Sequence, residues 1–416
     1  MLQKLSILTI GCILSILSLY PIDGYFVTKI ARLIYVQKAV NSDKPYTRIP
    51  EGALLKLDDI KLNLVSKKRD SLKDILVEDP EFAKKIKRVI PGGNYSLTVL
   101  DMSNPDSLKY AAYNEDRGYQ PGSVGKLVVL NAFFTELKKI YPNSWKSRTE
   151  LMRNKRVKAG IFGTGDHHTI PVYDMETDKL VKRKVVASDE FNLYEWLDHM
   201  VSVSNNGAAT VMFREAMLMN AFGKDYPNLT DEEGLEFFKT IPRDSITNLA
   251  HDVVNQPLRD LGITEDEWKL GGMFTRASEK YVGRKGGSSA TPKGLMKFLV
   301  LLEQGKILDK ESSLEMKRLI YLTDRRIRYA QSPRLDDAAV YFKSGSLYKC
   351  DREKNPDCSA YHGNVYNYMN SVIIVEHPNG KKYIVCLMTN VLNKNSAWAH
   401  LDLANKIDDI INIKTE

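Results

Sequence analysis

The order of apolar and polar residues divides the chain into segments with different predicted structures. Residues 95–103 (YSLTVLDMS) and 108–116 (LKYAAYNED) alternate in polarity on either side of an Asn-Pro-Asp turn, which predicts a hairpin of two strands. The segment 122–139 is apolar on every side, as expected for a helix at the centre of a domain. A strand pair and a buried helix therefore open the main folded part of the chain.

Helical patterns dominate the next stretch, roughly residues 140–330, although short strands are predicted at HTIPVYD and KLVKRKVVA. Three helices in this stretch begin with typical capping residues, at Asn192, at the pair Thr230 and Glu233, and at Thr291 before a proline. We expect the stretch to form a helical lobe.

The C-terminal part returns to strand patterns, at residues 338–348, 366–377 and 382–390, and ends in a helix. Because strands need partners for their backbone groups, the first and the last strands must meet in one sheet. The predicted fold class is α/β (α+β), with one sheet flanked by helices and the helical lobe interposed between its strands.

Composition narrows the possible functions. The 416 residues are 43% hydrophobic and 27% charged, which is ordinary for a globular protein. The net charge is +8, but basic and acidic residues are interleaved, and the basic cluster at residues 182–184 is short and lacks aromatic neighbours. We therefore expect a solvated surface and no nucleic-acid partner.

The N-terminus carries an uncharged apolar stretch, residues 5–20. It is longer than a usual signal-peptide core and slightly short of a comfortable membrane span. Since no Ala-x-Ala-like cleavage site follows, we predict that residues 1–23 form an uncleaved signal anchor, with a removed signal peptide as the alternative. Residues 24–90 would be an amphipathic juxtamembrane segment, and residues 91–416 an exported catalytic domain, periplasmic or otherwise extracytoplasmic.

Cysteine usage agrees with export. Cys350 and Cys358 bracket a polar insert of seven residues, DREKNPD, between two predicted strands, and a disulfide there would close a loop in an oxidising compartment. Two free thiols are the alternative. Cys386 lies in an apolar run and is predicted to be a small core residue. The sequence holds no Cys-x-x-Cys pair for zinc, and we predict no metal or cofactor.

Ser123 and Lys126 stand three residues apart at the start of the predicted central helix, which places both side chains on one helix face. A serine is a weak nucleophile until a neighbouring base takes its proton, and burial lowers the pKa of a lysine toward the range that this task needs. The alternative is a capping serine beside a lysine whose ammonium group reaches solvent.

Two more segments carry polar motifs that favour the catalytic interpretation. They are Ser204-Asn205-Asn206, after an amphipathic helix, and Lys343-Ser344-Gly345, inside a predicted strand. Ser-x-x-Lys, Ser-Asp-Asn and Lys-Thr-Gly mark class A β-lactamases and penicillin-binding proteins, and the three motifs of this chain follow in that order. Over about residues 93–413 the chain resembles the class A β-lactamase-like serine hydrolases of the penicillin-recognising superfamily, which includes β-lactamases and DD-peptidases.

The resemblance implies a fold and a set of roles. The sheet would have five antiparallel strands, and the interposed lobe would be all-helical. Ser123 would attack the substrate carbonyl and carry the acyl group, and Lys126 would accept its proton. Ser204 would pass a proton to the leaving nitrogen, and Asn206 would hold the substrate amide.

The strand motif would bind the substrate. Lys343 would offer a positive charge to the substrate carboxylate, and Ser344 would form a hydrogen bond beside it. Gly345 would let the substrate lie against the strand edge without meeting a Cβ atom. The backbone N–H groups of Ser123 and Ser346 would form an oxyanion hole.

The sequence also departs from the class A pattern. Residues 207–342 contain no Glu-x-x-Leu-Asn sequence, whose glutamate directs water onto the acyl-enzyme in class A β-lactamases, so the deacylating base is unidentified. Three functions stay open: a β-lactamase, a D-Ala-D-Ala carboxypeptidase or amidase of the cell wall, and an idle binding protein of the envelope. The adjacent His167 and His168 would face opposite sides of a strand, which argues against a shared metal.

Overall fold

The computed structural model describes residues 20–42, 49–65, 71–322 and 326–412. Its strands are β1 Tyr95–Asp101, β2 Lys109–Tyr113, β3 Arg156–Lys158, β4 Ile170–Asp174, β5 Lys179–Arg183, β6 Glu190–Asn192, β7 Trp268–Lys269, β8 Ser289–Ala290, β9 Ala339–Lys349, β10 Tyr366–Glu376 and β11 Lys382–Asn390. Its helices are α1 Tyr25–Thr28, α2 Arg32–Val40, α3 Leu72–Ile75, α4 Pro80–Val89, α5 Lys126–Ile140, α6 Trp145–Asn154, α7 Gly160–Gly163, α8 Leu193–Val201, α9 Asn206–Phe222, α10 Asp231–Thr240, α11 Arg243–Asp260, α12 Pro292–Glu303, α13 Lys310–Leu319 and α14 Ala397–Asn412.

The central sheet contains five strands in the order β2-β1-β11-β10-β9, and each neighbouring pair is antiparallel. The predicted hairpin supplies β1 and β2, and the three C-terminal strand patterns supply the other strands. The first and last strands of the chain therefore meet, as expected, through the pairing of β1 with β11. This arrangement confirms the five-stranded antiparallel sheet that the resemblance implied.

Helices cover both faces of the sheet. On one face Thr98 of β1 donates its hydroxyl hydrogen to the Pro292 carbonyl, where α12 begins. Tyr383 of β11 lies three positions from Cys386, the register partner of Thr98, and so points to the other face. There it donates a hydrogen bond of 2.8 Å to Asp408 of α14. Because both faces are covered, β11 is a nearly continuous buried apolar run.

The residues between β2 and β9, which comprise the predicted central helix and the stretch of roughly residues 140–330 predicted to be a helical lobe, form a lobe. Its central helix α5 packs against α9 and α11, and α8 packs against α9. The Asn192 side chain caps α8, and Thr230 with Glu233 forms the predicted capping box at α10. The lobe is not all-helical, however, since it also holds three two-stranded sheets, β3-β6, β4-β5 and β7-β8. These ribbons pair the backbone groups of segments that connect the helices.

The N-terminal segment packs on the lobe instead of standing apart from the domain. The Arg32 guanidinium forms a buried ion pair with Asp198 of α8, and the Ala31 N–H group donates to Glu195 at 3.0 Å. Tyr20 is fully buried. A buried charge pair and buried apolar side chains thus attach the first part of residues 24–90 to α8, and the juxtamembrane role of this segment stays a prediction.

The predicted anchor, residues 1–23, lies outside the described residues except for residues 20–23. In the ranges that are described, no helix combines the length and apolar character that a membrane crossing requires. The anchor, and the export that it implies, stay predictions.

Candidate active site

Ser123 lies in a 3-10 turn, Gly122–Gly125, that leads directly into α5 at Lys126. The central helix is thus present where the sequence predicts it, but its first turn is tighter than an α-helix. Gly122 has a φ angle of 54°, and a Cβ atom there would lie 2.7 Å from the Ser346 nitrogen. Only glycine combines this backbone conformation with so close an approach.

Strand β9 passes beside the turn at a second glycine, Gly345. A Cβ atom at Gly345 would lie 2.0 Å from the Pro121 carbonyl oxygen and 3.1 Å from the Ser123 nitrogen. The glycine is therefore needed for packing between the strand and the turn, and its expected role in making room for the substrate stays a prediction. The backbones of Ser123 and Ser346, the predicted oxyanion-hole residues, come close together as a result.

The reactive side chains of the three motifs converge on one point. Nζ of Lys126 lies 2.7 Å from Oγ of Ser123 and 3.4 Å from Oγ of Ser204. The same nitrogen donates to Oδ1 of Asn206 at 2.7 Å. From the opposite side, Nζ of Lys343 lies 2.8 Å from Oγ of Ser204. A hydroxyl group thus sits between two lysine nitrogens and next to the predicted nucleophile.

Ser204 reaches this position through an uncommon backbone conformation. Its φ angle is 58°, in the left-handed region that few residues other than glycine adopt. Asn205 follows and caps α9, since its side chain accepts from the Ala208 N–H group at 2.7 Å and donates to the His168 carbonyl at 2.9 Å. The loop between α8 and α9 is therefore held directly after Ser204 by two hydrogen bonds of Asn205, which helps to maintain the strained conformation of Ser204.

Burial lowers the pKa of both lysines, Lys126 and Lys343. Burial lowers the pKa of Lys126 to about 7, although the negative charge of Asp166 acts in the opposite direction. Burial also holds the pKa of Lys343 well below its usual value, and the charges of Lys126 and Arg328 add to this effect. A lysine whose pKa is near 7 is partly neutral at physiological pH, so Lys126 is suited to accept a proton.

Arg328 lies outside the three sequence motifs and reaches the site from the segment just before β9. Its guanidinium donates to the Gly345 carbonyl at 2.8 Å and lies 5.9 Å from the Tyr361 ring. Burial lowers its pKa to about 10. Arg328 lines a cavity of about 420 Å³ together with Ser123, Lys343 and Tyr361. It belongs to no motif, so only the folded chain reveals it.

Asp166 also lies outside the three sequence motifs, and nothing in the sequence indicated its contact with His168. Oδ1 of Asp166 lies 2.9 Å from Nδ1 of His168 and accepts from Nδ2 of Asn206 at 3.1 Å. The prediction that His167 and His168 face opposite sides of a strand was wrong, because the rings lie 4.0 Å apart and β4 begins only at Ile170.

The donor atoms of Asp166, His167 and His168 lie within 4.8 Å of one another, close enough to share an ion. Both oxygens of Asp166 already accept hydrogen bonds, however, from the amide group and backbone N–H of Asn206. We therefore connect Asp166 with the second motif and assign it no ion.

An aromatic ring covers the reactive lysine. The Phe274 ring centroid lies 4.8 Å from Nζ of Lys126, and Phe274 belongs to the region, residues 207–342, in which the class A glutamate sequence is missing. Among the described residues of this part of the lobe, the side chain placed directly on Lys126 is apolar, and none of them contributes a carboxylate there.

The predicted disulfide joins Cys350 and Cys358, with a Cα–Cα distance of 5.6 Å. It closes the loop between β9 and β10, which also carries Tyr361 at the cavity. Cys386 is buried and free, as the sequence indicated.

Comparison with known proteins identifies a family and several solved structures that this chain resembles. The beta-lactamase enzyme family matches residues 81–411. A beta-lactamase from Sphaerobacter thermophilus is 14% identical, with a TM-score of 0.51, over 82% of this chain and 99% of its own. A class A beta-lactamase from Bacteroides cellulosilyticus is 16% identical, with a TM-score of 0.51, over 80% of this chain and 96% of its own. The TLA-3 extended-spectrum beta-lactamase is 15% identical, with a TM-score of 0.54, over 81% of this chain and 99% of its own. No curated protein sequence matches the chain. At such identities the structural matches establish a shared fold.

Proposed function

Because this chain belongs to the beta-lactamase enzyme family, we propose that it is a serine hydrolase that forms an acyl-enzyme on Ser123 with β-lactams and then hydrolyses it. One observation carries the proposal. The hydroxyl groups of Ser123 and Ser204 both lie within hydrogen-bond distance of the Lys126 nitrogen, so a proton has a continuous path from the nucleophile to the leaving group.

Acylation begins at the pair Ser123 and Lys126. Neutral Lys126 takes the hydroxyl proton across 2.7 Å, and Oγ of Ser123 forms a bond with the carbonyl carbon of the substrate. The electron pair of the C=O double bond moves to the oxygen, and the N–H groups of Ser123 and Ser346 stabilise the negative charge. Loss of one such donor lowers the rate by about 100- to 1,000-fold in serine hydrolases.

The leaving nitrogen must be protonated when its bond to carbon breaks. Oγ of Ser204 lies between the nitrogens of Lys126 and Lys343. The proton taken from Ser123 therefore passes from Lys126 to Ser204, while the proton of Ser204 moves to the substrate nitrogen. Atoms and charge balance without a further reactant.

We assign recognition of a substrate carboxylate to the wall of the cavity that carries Lys343 and Arg328. Arg328 brings a positive charge to this wall, which Lys343 and Ser344 also line, and a bound carboxylate would favour the charged form of Lys343 against the effect of burial. Residues 320–322 pair with the edge of β9, and among the described residues this pairing ends at Phe342, whose N–H group donates to the Ile320 carbonyl at 2.8 Å. An extended acylamide chain can therefore pair with the strand edge beyond Phe342.

The cover over Lys126 favours a second candidate, a D-Ala-D-Ala carboxypeptidase that uses the same residues. With Phe274 on Lys126, the described part of the chain offers no carboxylate in contact with Nζ of Lys126 to activate water, and slow loss of a penicilloyl group is the expected consequence. A peptidase of this class is inhibited by penicillin because it releases the acyl group slowly.

Labelling the full chain with a fluorescent penicillin tests both candidates. We expect a covalent label that maps to the peptide of Ser123 and is absent from the Ser123→Ala variant. Loss of label within seconds and turnover of penicillin support the β-lactamase. A label that lasts for hours, with release of D-alanine from a D-Ala-D-Ala peptide, supports the peptidase. Absence of any serine adduct with either substrate contradicts both and leaves the idle binding protein.

A further inference from the structure

Asp166 belongs to none of the three motifs, but its carboxylate contacts the second motif directly. We propose that Asp166 is a positioning residue for acylation: it orients the Asn206 side-chain amide and supplies the negative charge that opposes the effect of burial on Lys126. This role rests on the proposed function, because it matters to catalysis only if Lys126 is the base for Ser123.

The hydrogen bonds of Asn206 determine the orientation of its amide. Nδ2 of Asn206 donates to Oδ1 of Asp166 at 3.1 Å, and its backbone N–H group donates to Oδ2 at 2.6 Å. An amide has one acceptor end and one donor end, so this arrangement turns Oδ1 of Asn206 toward Nζ of Lys126, 2.7 Å away. The reverse orientation would set an oxygen against the carboxylate and two donors against the lysine.

Asp166 itself is firmly held. Its side chain is 3% exposed, and the His167 N–H group and the His168 ring also bond to it, at 2.8 and 2.9 Å. Burial opposes ionisation of this carboxyl, but the hydrogen bonds from His168 and Asn206 outweigh it and lower its pKa to about 2. Asp166 therefore carries a negative charge at neutral pH and for several pH units below it.

The segment around Asp166 contacts the start of α9 through backbone groups, and these contacts do not involve the Asp166 carboxylate. A Cβ atom at Gly207 would lie 2.0 Å from the Gly163 carbonyl oxygen, so the two backbones are in contact. The His168 carbonyl accepts from Asn205 at 2.9 Å. Since these contacts remain when Asp166 is replaced, we expect its variants to fold with the loop in place.

The groups around Lys126 determine what a variant would do. Phe274 covers the nitrogen, Lys343 lies beyond Ser204, and Asp166 lies beyond the Asn206 amide. His168 lies on the far side of Asp166. Loss of the Asp166 charge would leave burial unopposed, so the pKa of Lys126 would fall below about 7.

The test compares Asp166→Asn with the wild type in the rate of acylation by a fluorescent penicillin between pH 5 and 9. We expect the maximal rate to fall about tenfold or more, since an asparagine at residue 166 also permits the wrong amide orientation. We expect the acidic limb of the pH profile, which reports protonated Lys126, to move to lower pH by about one unit. Asp166→Glu keeps the charge and should leave the limb near the wild-type position.

Asp189→Asn is the matched control. Asp189 is a buried aspartate of the same lobe that pairs with Arg183 at 2.6 Å, so its replacement removes a buried carboxylate away from the site. We expect this variant to lower the melting temperature without moving the acidic limb. A merely structural role for Asp166 would give the same result for Asp166→Asn.

A direct titration separates this inference from the proposed function. NMR of lysine-labelled protein, with the Lys126 signal assigned by its absence in Lys126→Met, measures the pKa of Lys126 without any substrate. A lower pKa in Asp166→Asn than in the wild type supports the charge effect even if penicillin gives no adduct, which would contradict only the proposed function. Equal pKa values, with an unmoved acidic limb, overturn the inference.

Discussion

The surroundings of each reactive side chain decide its chemistry. An exposed lysine has a pKa of about 10.4 and stays charged at neutral pH, whereas burial lowers the pKa of Lys126 to about 7. Ser204 is held between two lysine nitrogens in a left-handed backbone conformation. Such strain costs about 1–3 kcal/mol and persists where the surrounding contacts impose it.

Replacement of Ser204 tests the proton path. In Ser204→Ala, Lys126 and Lys343 lose the hydroxyl group that lies between them, and the leaving nitrogen loses its proton donor. We expect acylation by a fluorescent penicillin to slow by about 100-fold or more, the usual size of a general acid–base contribution. Stopped-flow or rapid-quench labelling measures this rate.

Ser202→Ala is the control for that experiment. Ser202 lies two positions earlier in the same loop, and its buried hydroxyl has no hydrogen-bond partner among the described residues. We expect its acylation rate to stay within about twofold of the wild type. A wild-type rate in Ser204→Ala, or equal losses in the two variants, would contradict the role of Ser204.

The turn Gly122–Gly125 and strand β9 are the two elements whose contact builds the site. They are far apart in sequence, and their backbones approach so closely that both contact positions, Gly122 and Gly345, lack room for a side chain. The proposed nucleophile and the proposed substrate-binding strand are therefore positioned by main-chain packing, which is more rigid than a contact between flexible side chains.

Gly345→Ala should disturb this contact. Its Cβ atom would lie 2.0 Å from the Pro121 carbonyl oxygen, so β9 or the turn must move. We expect a loss of about 1–3 kcal/mol in the free energy of unfolding, typical of overpacking, together with loss of penicillin labelling. Urea unfolding and the labelling assay measure the two effects.

Gly287→Ala serves as the comparison, because a Cβ atom there would meet nothing within 4 Å. We expect its stability to change by about 0.5 kcal/mol or less and its labelling to persist. If Gly345→Ala behaved like Gly287→Ala, the close packing of strand and turn would be wrong.

The protein as a whole buries several ionisable groups where the N-terminal segment meets the lobe. Arg32 pairs with Asp198, and the next residue, His199, is 2% exposed. Neither ring nitrogen of His199 has a hydrogen-bond partner among the described residues. Burial lowers its pKa to about 3, with Arg32 and Arg183 adding to the effect. The stability of the molecule must therefore depend on pH.

His199→Leu tests this dependence. As pH falls below 6.5, the unfolded chain binds a proton at this histidine while the folded chain does not until about pH 3. The stability contribution is thus complete above pH 6.5 and is lost toward pH 3, by at most about 1.4 kcal/mol per pH unit. We expect the variant to lose less stability than the wild type between pH 6.5 and 4.

Urea unfolding at several pH values measures the difference between His199→Leu and the wild type. The other buried groups titrate in both proteins, so their contributions cancel in this comparison. Parallel stability curves for the two proteins would mean that His199 is protonated, or exposed, in the folded state.

The order of elements could be predicted from the sequence because it depends on local patterns. Alternation located the hairpin and the last three strands, and capping residues located the starts of α8, α10 and α12. The three motifs marked the side chains that converge, and the spacing of Cys350 and Cys358 indicated their disulfide. Each of these signals lies within a few neighbouring residues, where backbone geometry and hydrogen bonding act directly.

What the pattern could not supply depends on contacts between distant segments. The packing of the N-terminal segment on α8, the need for glycine at residue 345, and the positions of Asp166, Arg328 and Phe274 around Lys126 follow only from how the lobe closes on the sheet. Burial and charge act through space and not along the chain, so the identity of Lys126 was readable in the sequence while its pKa was decided by the folded structure.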